Sequence, residues 1–228
     1  MRRRARDWPR RPSPIRTRHP APIAVVLRVG VLVSGNGTNL QALLDASSRD
    51  LPARVVVVAC NRSDAPALKR AAAFNVPTCV VDRGAIPGRS QRQQHILQAL
   101  QGEQVELVVL AGYDEILQPA FLTMYDGRII NTHPSLLPAF GGSMRAVQQA
   151  LEYGVKVTGC TVHLVTSDVD AGPILLQRCV EVQDGDNVAT LHARILAQEH
   201  LLLVEAVRAW AEGRIRVEGR RGRVLASR

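Results

Sequence analysis

Val29-Gly30-Val31-Leu32-Val33-Ser34-Gly35-Asn36-Gly37-Thr38-Asn39 carries the chain from an unbroken apolar run, through a glycine-bearing turn, into a helical pattern. An apolar run without alternation is the mark of a strand covered on both faces. Leu40, Leu43 and Leu44 then recur at the spacing of one helix face. The same unit recurs downstream. Strands are expected at 55–59, 78–81, 107–110 and 128–131, with helices at 65–74, 89–101 and 119–124 between them. This rhythm predicts an α/β fold: a mostly parallel open sheet with helices on both faces and right-handed crossovers. Further on, a helix is expected at about 144–153 and strands at 159–165 and 174–182. A long helix at 187–211 would bury Leu191, Ile195, Leu201, Leu202, Val204 and Val207, and residues 219–222 read as the turn of a terminal hairpin.

The chain has 228 residues, 46% of them apolar, enough for one large domain with its own core. No stretch approaches the 18 or so apolar residues of a membrane span. The formal charge of +9 misleads, because arginines crowd the ends. Eight lie in residues 1–20 and six in 214–228, leaving 15 basic and 18 acidic residues between. Residues 1–27, rich in Arg and Pro, are expected to be a basic disordered tail, and 219–228 a basic C-terminal end. Nucleic acid is not an expected partner of the intervening domain. Cys60, Cys79, Cys160 and Cys179 show no metal-ligand spacing and read as buried, reduced thiols of a cytoplasmic protein. No metal is expected.

Chemistry is suggested by Ile129-Ile130-Asn131-Thr132-His133-Pro134-Ser135-Leu136-Leu137-Pro138. Residues two apart in a strand share a face. Asn131 and His133 are therefore presented side by side where a strand ends, the place where open α/β sheets bind ligands. An amide can stabilise an oxyanion and an imidazole can move a proton near neutral pH, which points to chemistry at a carbonyl. The same residues could equally cap a helix and satisfy loop backbone.

Four further places have a functional reading and a structural one. The turn Ser34–Asn39, with the N–H groups of the following helix, suits a single phosphate; it matches neither the dinucleotide nor the triphosphate glycine pattern. An ordinary βα turn capped by Asn36 or Thr38 would look the same. Asp170, before Ala171-Gly172, could reach His133, orient its ring and favour its protonated form, whereas Asp168 fits an Asx-turn better. His163, between Val162 and Leu164, reads as a half-buried strand histidine. Glu199 could accept a ligand hydroxyl or ammonium, although Gln198-Glu199-His200 is also what a solvated helix face looks like.

Taken together, these motifs resemble the phosphoribosylglycinamide (glycinamide ribonucleotide) formyltransferases. The matching segments, in order, are S-G-N-G-T-N-L-Q at 34–41, L-A-G-Y at 110–113, N-T-H-P-S-L-L-P at 131–138, Y-G-V-K-V-T-G-C-T-V-H at 153–163, D-V-D-A-G-P-I at 168–174 and Q-E-H at 198–200. The resemblance spans about 28–218 and implies a Rossmann-like formyltransferase fold. It implies that the formyl group of 10-formyltetrahydrofolate passes to the glycine amine of 5-phosphoribosylglycinamide, in a monomer or weak homodimer. It further implies that Asn131, His133 and Asp170 are catalytic, that Gly37, Thr38 and Asn39 hold phosphate, and that Glu199 contacts the glycinamide substrate. Asp114, Glu115, Ile116 and Leu117 would form the folate loop together with Asn131, and Arg89 loosely matches a folate-contacting arginine.

The chain departs from the family in three places. Asp114-Glu115 replaces the usual Met-Arg, putting acid near a ligand with a glutamate tail, so weaker affinity for that tail is expected. Arg89 lies in R-S-Q-R-Q rather than R-E-x-[YF]-D, and Phe140-Gly141-Gly142-Ser143-Met144 replaces the usual Pro-Gly turn. Two rivals remain: a formyltetrahydrofolate hydrolase, with water in place of the amine, and an inactive nucleic-acid-associated relative using its arginine-rich ends.

Overall fold

The structure, a computed structural model, describes residues 26–226, so most of the basic tail expected at 1–27 lies outside the described residues. Among the described residues, nine strands form one sheet in the order β3-β2-β1-β4-β5-β6-β7-β9-β8. The first five are β1 (Leu27–Val33), β2 (Ala53–Cys60), β3 (Thr78–Val80), β4 (Leu107–Leu110) and β5 (Ile129–His133). They pair in parallel. Next come β6 (Val157–Leu164) and β7 (Ile174–Glu181), paired antiparallel with β5 and with each other. The hairpin β8 (Ile215–Glu218) and β9 (Arg221–Val224) completes the sheet through a parallel contact between β7 and β9. Residues 219–224, in the stretch read as a basic end, thus form the turn and last strand.

Two helical layers cover the parallel half. On one face α1 (Thr38–Ser47), α2 (Pro66–Ala73), α5 (Ala146–Tyr153) and α6 (Val188–Ala211) bury Leu40, Leu43, Ala67, Val147 and Ile195 against Val29, Val31, Val33 and Ile130. On the other, α3 (Arg89–Gly102) and α4 (Pro119–Met124) bury Ile96, Leu100 and Phe121 against Leu32, Val57, Val108 and Ile129. Gly30 sits under α3 because a Cβ there would lie 2.4 Å from a Leu100 methyl.

Most sequence-derived bounds differ from the observed ones by a residue or two; β5 extends to His133 instead of ending at Asn131. Leu201 was placed on the buried face of α6 but is 55% exposed, and Leu203 packs in the core instead. Leu202 and Leu203 share the inward arc with Leu191 and Ile195, leaving Leu201 on the far side. Asn187 caps this helix, accepting hydrogen bonds from Ala189 and Thr190 N–H while Thr190 Oγ1 accepts one from Asn187 N–H. The cysteines are unpaired, but only Cys60 and Cys160 are buried. Cys179, beside the inward Val180 on β7, is exposed, and Cys79 on the short β3 is half-buried. Among the described residues no helix is long and apolar enough to cross a membrane.

Candidate active site

In the order β3-β2-β1-β4-β5, the chain moves outward from β1, then returns to lay β4 on its other side. The crevice over the carboxyl ends of β1 and β4 is where such sheets bind ligands. A cavity of about 650 Å³ opens there, lined by the turn after β1, the segment after β4, the end of β5, the loop between β6 and β7, and α6.

Strand β5 supplies both sides of it. Ile129, Asn131 and His133 share the face toward α3 and α4, whereas Ile130 and Thr132 face α1 and α6. Antiparallel pairing places His163 of β6 opposite Asn131, so these side chains meet, with Asn131 Nδ2 3.2 Å from His163 Nε2. Asp170, in the loop after β6, joins the group in the left-handed region (φ 51°). Its Oδ1 lies 3.5 Å from both Asn131 Nδ2 and His163 Nε2. Its Oδ2 accepts from Gly142 N at 2.8 Å and lies 3.3 Å from His133 Nδ1. One carboxylate therefore gathers Asn131, His133, His163 and the backbone of the 140–144 loop.

Hydrogen bonding assigns the protons. His163 Nδ1 lies 2.9 Å from the Leu164 carbonyl and donates to it, while Nε2 faces both the Asn131 amide and Asp170 Oδ1. The His133 ring lies between two acceptors, with the Phe140 carbonyl 3.0 Å from Nε2 and Asp170 beside Nδ1. Burial by itself would raise the Asp170 carboxyl, but the His163 hydrogen bond, the charge of His133 and the Gly142 N–H outweigh it and bring it down to about 2.

Across β5, Thr132 Oγ1 donates to Glu199 Oε1 at 3.2 Å and Asn39 Nδ2 to Oε2 at 3.1 Å. Glu199 is 4% exposed, which corrects the reading of a solvated helix face. That burial raises its carboxyl even though both hydrogen bonds act to lower it. Asn39 Oδ1 is buried without a hydrogen-bond partner. Next to this group the turn after β1 leads into α1. Its N-cap is Gly37 (φ 70°), with no side-chain cap, rather than Asn36 or Thr38. A Cβ at Gly37 would lie 2.6 Å from that of Ala67, and Arg70 Nε donates to the Asn36 carbonyl at 2.8 Å, so α2 fixes the turn. The first N–H groups of α1, with no helical partner, point out of the turn.

The third wall is the 113–117 segment. Asp114, Glu115, Ile116 and Leu117 line the cavity. Both acids are paired: Arg92 Nη2 lies 2.8 Å and Arg83 Nε 3.0 Å from Glu115 Oε1, and Arg83 also bonds Asp114. Arg89 is exposed at the start of α3 and does not line the cavity. Three contributors were missed in the sequence. His163 is 2% exposed and belongs to the cluster; its signal is its register opposite Asn131. Arg83 and Arg92 show no pattern that ties them to residue 115.

A family model described as formyl transferase matches residues 27–207. The chain belongs to the formyl transferase family. A phosphoribosylglycinamide formyltransferase of Mycobacterium tuberculosis is 47% identical over 91% of this chain and 94% of that protein. A glycinamide ribonucleotide transformylase from Symbiobacterium toebii superposes with a TM-score of 0.85 at 50% identity, covering 88% of this chain and 95% of the other. A formyltetrahydrofolate deformylase from Pseudomonas syringae is more distant in sequence, at 28% identity and a TM-score of 0.82, covering 88% of this chain and 66% of that protein. The formyl transferase fold thus accounts for the mostly parallel sheet and its helical layers.

Proposed function

We propose that this formyl transferase passes the formyl group of 10-formyltetrahydrofolate to the glycine amine of 5-phosphoribosylglycinamide, a step of purine synthesis. The observation that carries the reading is that the Asn131–His133–Asp170 cluster and the glycine turn line one cavity. The purine-pathway relatives support the choice of substrates.

The two faces of β5 divide the ligands. On the α1 and α6 side, the turn at Gly37, Thr38 and Asn39 takes the phosphate on free backbone N–H groups. Glu199, with Asn39 Oδ1 beside it, accepts hydrogen from the glycinamide substrate. On the α3 and α4 side, Asp114, Glu115, Ile116 and Leu117 flank the folate, whose formyl group reaches Asn131. A role for Arg89 in holding the glutamate tail rests on the family resemblance alone.

The amine attacks the formyl carbon and charge gathers on its oxygen. The Asn131 amide and the His133 ring stabilise that oxygen, which takes the place of the 3.5 Å contact of Asn131 with Asp170 and of the 3.0 Å contact of His133 Nε2 with the Phe140 carbonyl. Asp170 stays ionised at neutral pH and holds the His133 ring in place. Collapse breaks the bond between the formyl carbon and the folate nitrogen, which leaves with a proton passed from the amine through water. No residue of the chain forms a covalent intermediate.

The test mixes the protein with 10-formyltetrahydrofolate, with and without phosphoribosylglycinamide, and follows tetrahydrofolate release. Release that requires the ribonucleotide is expected. Equal release without it would mark a hydrolase and overturn the proposal.

A further inference from the structure

The acidic pair in the cavity wall is tied down at every turn. Arg92 and Glu115 have side chains only 7% and 6% exposed and meet at 2.8 Å. Arg92 Nη1 donates to the carbonyls of Ile86 and Pro87, fixing it to the segment before α3. Next to it, Gln93 is 2% exposed; its Nε2 donates to the Ile116 carbonyl at 3.0 Å and its Oε1 accepts from Gln118 N at 2.8 Å. At the open end Arg83 bridges Asp114 and Glu115. Asp114 also accepts from Asn61 Nδ2 at 2.9 Å, and its own N–H donates to Ser34 Oγ at 3.1 Å. Two guanidinium groups therefore balance two carboxylates, and the wall presents no net negative charge to a ligand. The sequence alone shows the two acids but not the arginines that pair with them.

A segment of irregular backbone is ordinarily where mobility concentrates, and ordering it on binding reduces affinity. Here side chains from α3 and from the β3–α3 connection hold it in place. We propose that the buried Arg92–Glu115 ion pair, flanked by Gln93 and Arg83, is a positioning device that presets the main chain of 114–117 for the formyl-folate co-substrate. Arg83, Arg92 and Gln93 do not line the cavity, so they act through the main chain they hold. The inference rests on the reading of this wall as the folate side.

Removing one partner of a buried pair leaves the other charge uncompensated, whereas removing both does not. The test is therefore a double-mutant cycle in the full chain, with Arg92→Met, Glu115→Met and the double variant. It reads KM for 10-formyltetrahydrofolate, KM for phosphoribosylglycinamide and kcat. Each single change is expected to raise the folate KM about tenfold while the ribonucleotide KM stays within about twofold; the double variant should be no worse than about threefold beyond the poorer single. The inference is overturned if the singles leave the folate KM within about twofold, if both KM values rise in step, or if the double multiplies the two effects. Gln93→Ala, which loosens the same backbone without stranding a charge, gives a second reading should Arg92→Met not fold; a folate KM unchanged in that variant also overturns the inference. A wild-type protein unable to transfer formyl would instead count against the folate reading itself.

Discussion

Replacing Asp170 by Asn probes the centre of the cluster with almost no change in volume. Asn tolerates the left-handed region well, so the φ of 51° adds little strain of its own. The damage is in the hydrogen bonds. An amide group turned toward His133 meets the Gly142 N–H, donor against donor; turned the other way it meets the Asn131 amide. The carboxyl, 11% exposed at its side chain, lies at about 2 against an ordinary 3.8. That difference corresponds to about 2 kcal/mol of folding stability at neutral pH. The sign follows from the direction: a lowered acid contributes fully above its unfolded value, and the contribution fades as pH falls through about 4 toward about 2. Urea unfolding at pH 7 should therefore show the variant about 2 kcal/mol less stable, with the gap closing in strongly acid solution. Loss of the oriented imidazole should also lower kcat by about a hundredfold or more. A variant with wild-type stability and a rate within tenfold would refute the assignment of Asp170 as the organiser of the cluster.

Asn131→Ala should reduce kcat by about a hundred- to a thousandfold, read from tetrahydrofolate release at saturating substrates; a near-normal rate would remove the amide from the mechanism. Gly37→Ala forces a side chain into the left-handed region against Ala67, so unfolding should cost at least about 1 kcal/mol less and the ribonucleotide KM should rise in steady-state assays. Glu199→Gln gives an isosteric neutral partner to which a flipped Asn39 can present its unpaired Oδ1. Because burial raises the Glu199 carboxyl, the variant should gain stability relative to wild type as pH rises above the usual carboxylate range, while its ribonucleotide KM increases. Thermal unfolding at pH 4 and pH 8, with kinetics alongside, checks both halves.

Local pattern carried most of the fold. The apolar runs at 29–33 and 107–110 are buried on both faces, and Leu40, Leu43 and Leu44 face the core as their spacing requires. The site was legible where the chemistry is contiguous: Asn131 and His133 share a face because a strand has period two. What escaped depends on partners distant in the chain. His163 alternates like any strand histidine, and only its register against β5 brings it to Asn131. Glu199 looks solvated until α1 and β5 enclose it. Arg92 breaks the apolar face of α3 for a reason that lies at residue 115. Leu201 was misassigned because three consecutive leucines give no phase of their own.

Under the proposed assignment of ligands, the alternation of β5 makes the backbone of a single strand the partition between two substrates. Shortening or lengthening the chain by one residue just upstream would turn Thr132 toward the formyl donor and Asn131 toward the phosphate ester, exchanging the tenants of both compartments at once. Natural or engineered variation in substrate preference must therefore come from the surrounding loops and helices, while the frame of this strand stays untouched.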